Sequence, residues 1–372
     1  MNTGSASNGI YLDIETTGLS PANSHVTVIG TAFLDGERPI LRQFVCEKPT
    51  DEKKLLREFA DYLKGCYRVI HFNGNTFDIP YLKKKFSFYR LDDPFFDMSF
   101  TDLYQTGKRI APLLQMSSLK QKDFEKAFSY PRTDRLSGSE CVSAYRSYLR
   151  TGEEAFLDKI LLHNKEDVFG MIHIAKHLEG FLCLMNGEIG ITDVCREEND
   201  PASFGPSDSE NEASSVLSVS FVLPVSFPQP FFFSSISTAG QRKKDSSASD
   251  AFCPNQKNLP FEISIMQNQG VFRLPGMYRE LKYFFENYKD YYYLPLEGRA
   301  IHKSVGRFVE AAYREKATKN TAYEPVAAVF FPEPSPVIRP ACKENPDDLL
   351  SWFRSEDIRS ADELKELIPL FF

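Results

Sequence analysis

The stretch "NGIYLDIETTGLS", residues 8–20, decides how the rest of the chain is read. Ile10, Tyr11 and Leu12 mark a buried strand, and Asp13 and Glu15 follow it two positions apart. Residues two apart on a strand share a face. Two carboxylates therefore stand together on a core-bound element, where they repel each other and lose hydration. A metal ion, a basic side chain or water must offset that charge.

Two later stretches bring further carboxylates to places that packing does not explain. "HFNGNTFDIPYL" (71–82) puts Asp78 after a buried strand and at a helix start. "LLHNKEDVFGM" (161–171) puts His163 and Asp167 four apart, on one face of a predicted helix. Hard divalent cations take oxygen ligands. Two of them, roughly 3.5–4 Å apart, clamp the attacking and leaving oxygens of a phosphoryl displacement. A nearby His orients or deprotonates the attacking water. Each stretch also has a plainer reading. Asp78 suits a helix N-cap, and the His163/Asp167 pair suits an exposed helix face beside Lys165 and Glu166. Glu166 lies about 100° around the helix from Asp167 and reads as solvent-facing. His71 reads as a core histidine and Asp102 as structural. Asn73 is expected to fix substrate or its own loop. His173 and His177 have i,i+4 spacing but no H-E-x-x-H frame, so zinc is not expected there.

The 372 residues suggest two domains. With 42% hydrophobic residues, sizeable cores can form. The net charge of −7 excludes a simple polybasic nucleic-acid binder but not an enzyme with a local basic groove. Seven scattered cysteines without a C-x-x-C pair predict free thiols in a reducing cytosol, hence a cytoplasmic protein. The polar residues 1–9 are read as a disordered N-terminus without a signal peptide. No run of eighteen or so apolar residues predicts a membrane span.

Residues 10–190 read as one α/β domain. "IYLDIE", "HVTVIGTAFLD" and "ILRQFVC" are a strand meander. "DEKKLLREFADYLKG" is an amphipathic helix stopped by Gly65. "YRVIHFN" is a buried strand, and "FDIPYLKKKF" a helix with Pro80 early. A short strand falls in "FFDMSFTDLY", a Ser-capped helix in "SSLKQKDFEKAF", and two closing helices complete the domain. Residues 197–214 are acidic and polar and read as a linker. Residues 215–372 read as a smaller β-rich α+β domain with a flexible loop at 238–258. There, "FEISIMQNQGVFRLPG" predicts a hairpin turning at Asn268-Gln269-Gly270. "HKSVGRFVEAAYREK", "NPDDLLSWFRS" and "SADELKELIPLFF" predict helices.

The ordered set D-x-E, N-x-x-x-F-D and H-N-x-x-D resembles the DEDD superfamily of ribonuclease-H-like 3′→5′ exonucleases. It looks most like the bacterial YprB-like branch, whose members carry a segment similar to "RLSGSECVSAYRSYLRTG" (135–152) ahead of the third motif. The resemblance covers residues 10 to about 183. It implies a ribonuclease-H-like mixed sheet flanked by helices. It also implies two Mg²⁺ or Mn²⁺ ions held by Asp13, Glu15, Asp78 and Asp167. One branch of the superfamily places a Tyr four residues before the last Asp, another a His five before. His163 has the chemistry of the second at the spacing of the first, and spacing is taken as the guide, so His163 sits where the Tyr would. The resemblance further places Thr17 and Leu19 at the substrate entrance.

The expected function is a metal-dependent nuclease, a 3′→5′ exonuclease acting on DNA or RNA. A nucleic-acid-binding module with little hydrolysis and a structure-selective endonuclease are the alternatives. In the second domain, basic residues from Arg273 to Lys319 are interleaved with Tyr and Phe. That pattern suits single-stranded nucleic acid, and the same aromatics would also fill a small core.

Overall fold

The computed structural model describes residues 9–198, 215–235 and 259–372. The expected disordered N-terminus (apart from Gly9), most of the expected linker and the whole of the expected 238–258 loop lie outside the described residues. The chain divides into two compact units, residues 1–179 and 180–372.

The first unit is built on a five-stranded mixed sheet in the order β3-β2-β1-β4-β5. Strands β1 (Ile10–Thr16), β2 (Val26–Asp35) and β3 (Arg38–Val45) form the antiparallel meander. Strands β4 (Arg68–His71) and β5 (Ser99–Asp102) add on in parallel. Parallel pairing needs crossovers, and helices α1 (Glu52–Leu63) and α2 (Asp78–Phe88) supply them. Alternation along β1 sorts its two faces. Ile10, Leu12 and Ile14 join a buried cluster with Leu55, Phe59, Leu82 and Phe86 of α1 and α2. Each such fully buried side chain contributes about 1.5–3 kcal/mol. Asp13 and Glu15 face the other way, paired across to Gly30 and Val28.

That second face is covered by α5 (Gly138–Thr151) and α6 (Glu154–Met185), through a cluster of Val28, Cys141, Ala144, Tyr145 and Ile160. Helix α5 starts at a capping box of Ser137 and Glu140 and stops at Gly152, whose φ of 73° is left-handed. Helices α3 (Leu103–Ile110) and α4 (Gln121–Ala127) complete the unit. Helix α4 begins later than "SSLKQKDFEKAF" suggests. Its cap position is Lys120, while the Ser118 hydroxyl is spent on Asp123, 2.5 Å away. This is the mixed α/β sheet of the ribonuclease-H-like class. Helix α6 is long and apolar enough by composition to cross a membrane, but 67% of its most apolar window is buried within the structure, as in a core helix.

The second unit is β-rich. Strands β6 (Gly190–Glu198), β7 (Ser215–Val222), β8 (Phe231–Ser234), β9 (Glu262–Met266), β10 (Gln269–Phe284), β14 (Tyr323–Glu333) and β15 (Ser351–Phe353) form one sheet. Strands β11 (Tyr291–Leu294), β12 (Arg299–His302) and β13 (Glu315–Lys316) form a smaller one. Helix α8 (Ala361–Leu367) follows with its own Ser360–Glu363 capping box.

Three sequence expectations fail here for identifiable reasons. The β9–β10 turn is at Gln267-Asn268, not Asn268-Gln269-Gly270. Gly270 is already in β10, paired with Ile265 and Phe221, and the Phe221 ring fills the space of its missing Cβ, 2.2 Å away. The helix expected over 302–316 shrinks to α7 (Lys303–Gly306). Gly306 packs on Tyr292, its Cβ position 2.8 Å from the ring, and the chain turns away there. "NPDDLLSWFRS" holds β15 rather than a helix. Trp352 and Phe353, on opposite faces, are both buried, which an extended chain allows.

Candidate active site

The functional side chains meet where β1, the start of α2 and the middle of α6 converge. Carboxylate oxygens of Asp13, Glu15 and Asp167 all lie within 4.8 Å of one another. Asp78 stands on the first residue of α2. Its Oδ1 accepts the Ile14 amide of β1 at 3.2 Å. That bond ties the second motif to the first.

The electrostatics of this cluster are those of unneutralised charge. Burial, then the negative charges of Asp167, Asp78 and Glu15, push the Asp13 carboxyl well above its ordinary range. Burial and the charges of Asp167, Asp78 and Asp134 push Glu15 up to about 8. Asp78 is pushed up to about 6, chiefly by burial. Asp167 is raised by burial, with Arg132 and His163 opposing.

His163 is buried between the carboxylates. Its Nε2 lies 3.3 Å from Asp167 Oδ2 and 3.6 Å from Glu15 Oε1. Its Nδ1 lies 2.6 Å from Asp134 Oδ2. Its neighbour Asn164 donates to Asp13 Oδ2 at 2.8 Å and accepts from Gln43 at 2.9 Å. Asn164 fits there because β2 carries Gly30 opposite Asp13.

Asp134, Arg132, Glu125 and Asn164 were not singled out as site residues from the sequence. Arg132 reaches Asp167 with one nitrogen and grips Glu125 with two contacts of 2.6 and 2.8 Å. Glu166 is not solvent-facing as its helical position suggested. It is only 8% exposed, because the 132–134 segment folds over it. Its carboxylate accepts the Thr133 amide at 2.9 Å, the Thr133 hydroxyl at 2.5 Å and the Asp134 amide at 2.7 Å. The one sequence signal for this arrangement was the Asn inside H-N-x-x-D; the 132–134 segment has no periodicity to read.

The loop after β1 carries the two remaining predicted residues. Thr17 uses its hydroxyl to accept the His25 amide at 2.8 Å, closing the loop on itself. Leu19 is 84% exposed and stands free at the loop tip. The loop is held from below by a buried polar network. Glu52 accepts Val26 N at 2.8 Å, Tyr89 OH at 2.8 Å and Lys85 Nζ at 3.1 Å. Lys85 also reaches the Ser24 carbonyl. Asn73 is exposed and left-handed, with φ 58°, and its amide donates to Asp102 at 2.7 Å. His71 is fully buried behind it. His177 stacks on Phe128, and His173 meets His177 and Tyr130 at a tilt, without a carboxylate beside them among the described contacts.

Cys141 also comes within 4.8 Å of Glu15 and His163. Burial and the surrounding carboxylates push its thiol up, so it stays protonated. The donors left for a cation are hard carboxylate oxygens, which fit a divalent ion such as Mg²⁺ or Mn²⁺.

Comparison with known proteins places the same segment in context. Residues 10–179 match the model of the RNase_H superfamily. An uncharacterised protein of Methanocaldococcus jannaschii is 28% identical over 166 residues, covering 42% of this chain and 87% of that one. Among solved structures, the family B DNA polymerase of Pyrobaculum calidifontis aligns with 16% identity and a TM-score of 0.37 over 47% of this chain. The product-bound structure of exonuclease I aligns with 14% identity and a TM-score of 0.29 over 57% of this chain. The chain spans about 25% of the polymerase's length and 57% of that exonuclease chain.

Proposed function

We propose that the first unit is a metal-dependent nuclease that acts as a 3′→5′ exonuclease on DNA or RNA. The observation that carries this reading is the convergence of Asp13, Glu15, Asp78 and Asp167 from three separate elements. No packing gain explains it, and each of these carboxyls is destabilised as an anion. Unneutralised carboxylates with hard donor atoms are what two divalent cations require. Bound there, such ions supply charge compensation and polarise a phosphodiester.

The residues of the chain do the rest. Asn164 fixes the Asp13 carboxylate against rotation. Asp78 is fixed by the β1 backbone. His163 presents Nε2 towards Glu15 and Asp167, where it can take the proton of an attacking water. Arg132 holds one oxygen of Asp167, leaving Oδ2 facing the His163 ring. Leu19, exposed at the tip of the β1 loop, is suited to pack against a terminal base.

The second unit supports strand binding. Lys303 and Arg314 lie 5.7 and 4.5 Å from the centre of the Tyr292 ring, and Lys282 lies 4.8 Å from that of Tyr323. Phe308, with Arg307 over its ring, is 78% exposed. Cations and rings of this kind suit phosphates and bases of a single strand.

The test is digestion of 5′-labelled single-stranded DNA and RNA with Mn²⁺, Mg²⁺ or EDTA, beside the Asp13→Ala/Asp167→Ala variant. A metal-dependent ladder shortening from the 3′ end, absent in the variant, is the expected result. A single internal cut would make the protein an endonuclease. Retarded but intact strands would make it a binding module.

A further inference from the structure

We infer that Asp134 is the positioning residue of the site: it holds the His163 ring through Nδ1 and so turns Nε2 towards the carboxylate cluster. The inference rests on the nuclease reading for its use, but its geometry stands alone.

Asp134 and His163 are 9% and 4% exposed, and their contact of 2.6 Å is short for an N–H···O pair. The Asp134 carboxylate is itself fixed. Its Oδ1 accepts the Leu136 amide at 3.0 Å, and its Oδ2 also faces Arg132 Nη1 at 3.4 Å and Lys122 Nζ at 3.8 Å. Burial alone would push this carboxyl up. The Leu136 amide and His163 outweigh burial and hold it below its usual range. An ionised carboxylate only accepts, so the imidazole must donate through Nδ1.

The backbone that delivers Asp134 is not free to drift. Glu166, one turn from His163 on the same helix, takes the amides of both Thr133 and Asp134. Three successive residues therefore dock onto α6 with separate tasks: Arg132 on Asp167, Thr133 on Glu166 and Asp134 on His163. Without Asp134, the ring has two carboxylates beside Nε2 and none beside Nδ1, so the neutral ring would carry its proton on Nε2. The lone pair would then face away from the cluster. In a histidine oriented by an aspartate, the wrong tautomer costs a large factor in turnover.

The full-length chain, labelled with ¹⁵N-histidine, tests this directly. It has six histidines, and the His163→Gln variant identifies the signal. Long-range ¹H–¹⁵N spectra of the neutral ring, with and without Mg²⁺, should show the Nδ1–H tautomer in the wild-type protein. Asp134→Ala should move it to Nε2–H. A wild-type ring protonated on Nε2, or a tautomer unmoved in Asp134→Ala, overturns the inference. Kinetics add a second readout. Asp134→Asn, which keeps shape, should lower kcat about 10²-fold or more, with KM and Mn²⁺ affinity within about threefold. An equal fall in Mn²⁺ affinity would assign Asp134 a merely structural role. If the wild-type chain cleaves nothing, the nuclease reading fails, and the spectra still decide the orientation of His163.

Discussion

Gly30 on β2 and Asn164 on α6 occupy one another's space: a Cβ on Gly30 would lie 2.0 Å from Asn164 Oδ1. The absent side chain lets α6 approach the sheet closely enough for Asn164 to reach Asp13. The Gly30→Ala substitution must therefore displace Asn164 or the helix. Overpacking of this kind costs about 1–3 kcal/mol, measurable in urea melts. Hydrolysis should fall with it, because Asp13 loses its anchor. The double variant Gly30→Ala/Asn164→Ala should recover stability without recovering turnover. Full activity in Gly30→Ala would show that Asn164 does not matter to the site.

Asp13→Ala should separate chemistry from stability. It removes a half-buried carboxyl whose charge three other carboxylates oppose. Thermal melts of the metal-free variant should match or slightly exceed the wild type, while hydrolysis is lost. Unchanged turnover would end the two-metal reading.

The same repulsion sets a pH dependence. Glu15 rises from 4.5 to about 8 and Asp78 from 3.8 to about 6 in the folded chain. An acid with a raised folded pKa contributes stability below its unfolded value and loses it as pH rises through the folded one. The metal-free protein should thus become less stable between about pH 4.5 and pH 8. Cations compete with those protons, so the rise in melting temperature on adding Mn²⁺ should be larger at pH 8.5 than at pH 5.5. A Mn²⁺ effect independent of pH would show that these carboxylates do not hold the ion.

How much of this was legible depends on where each residue gets its position. Strand alternation put Asp13 and Glu15 on one face, and helical spacing put His163 and Asp167 on another; both are local and survive folding. Asp78 was legible as a residue at a helix start, but not its bond to Ile14, which spans 64 residues. Asp134 was invisible because it arrives on an irregular segment whose path is set by Glu166, 32 residues away. Glu166 was misread for the matching reason. Rotation around α6 says which way it points, not that another segment will cover it. In the second unit, helical periodicity over 302–316 was real in the sequence but lost to the packing of Gly306 on Tyr292.

Lys85 and Glu52 form a pair that is 3% and 0% exposed beneath the loop bearing Leu19. Removing one partner of a buried pair leaves an uncompensated charge and costs about 3–5 kcal/mol. Lys85→Met should lose that much in urea melts. The double variant Lys85→Met/Glu52→Gln should regain part of it, since the remaining acceptor is neutral. Because Lys85 also holds the Ser24 carbonyl, KM for an oligonucleotide should rise more than kcat falls. A stability loss without any change in KM would detach this loop from substrate.

Strand binding by the second unit has its own signature. Among the described residues, Lys303 and Arg307 sit over aromatic rings rather than on carboxylates. Their charges are therefore available to phosphates. In an Asp13→Ala background, where strands stay intact, Lys303→Glu/Arg307→Glu should weaken binding of a single-stranded oligonucleotide in anisotropy titrations. Each lost phosphate contact lowers the slope of log K against log salt by about 0.7. Loss of both contacts should therefore flatten the slope by about 1.4, across sequences alike. Replacing Phe308 with Ala should instead weaken binding while leaving the slope in place, because stacking releases no counterions. An unchanged slope in the double charge variant would return these residues to a purely structural role and leave all strand contacts to the first unit.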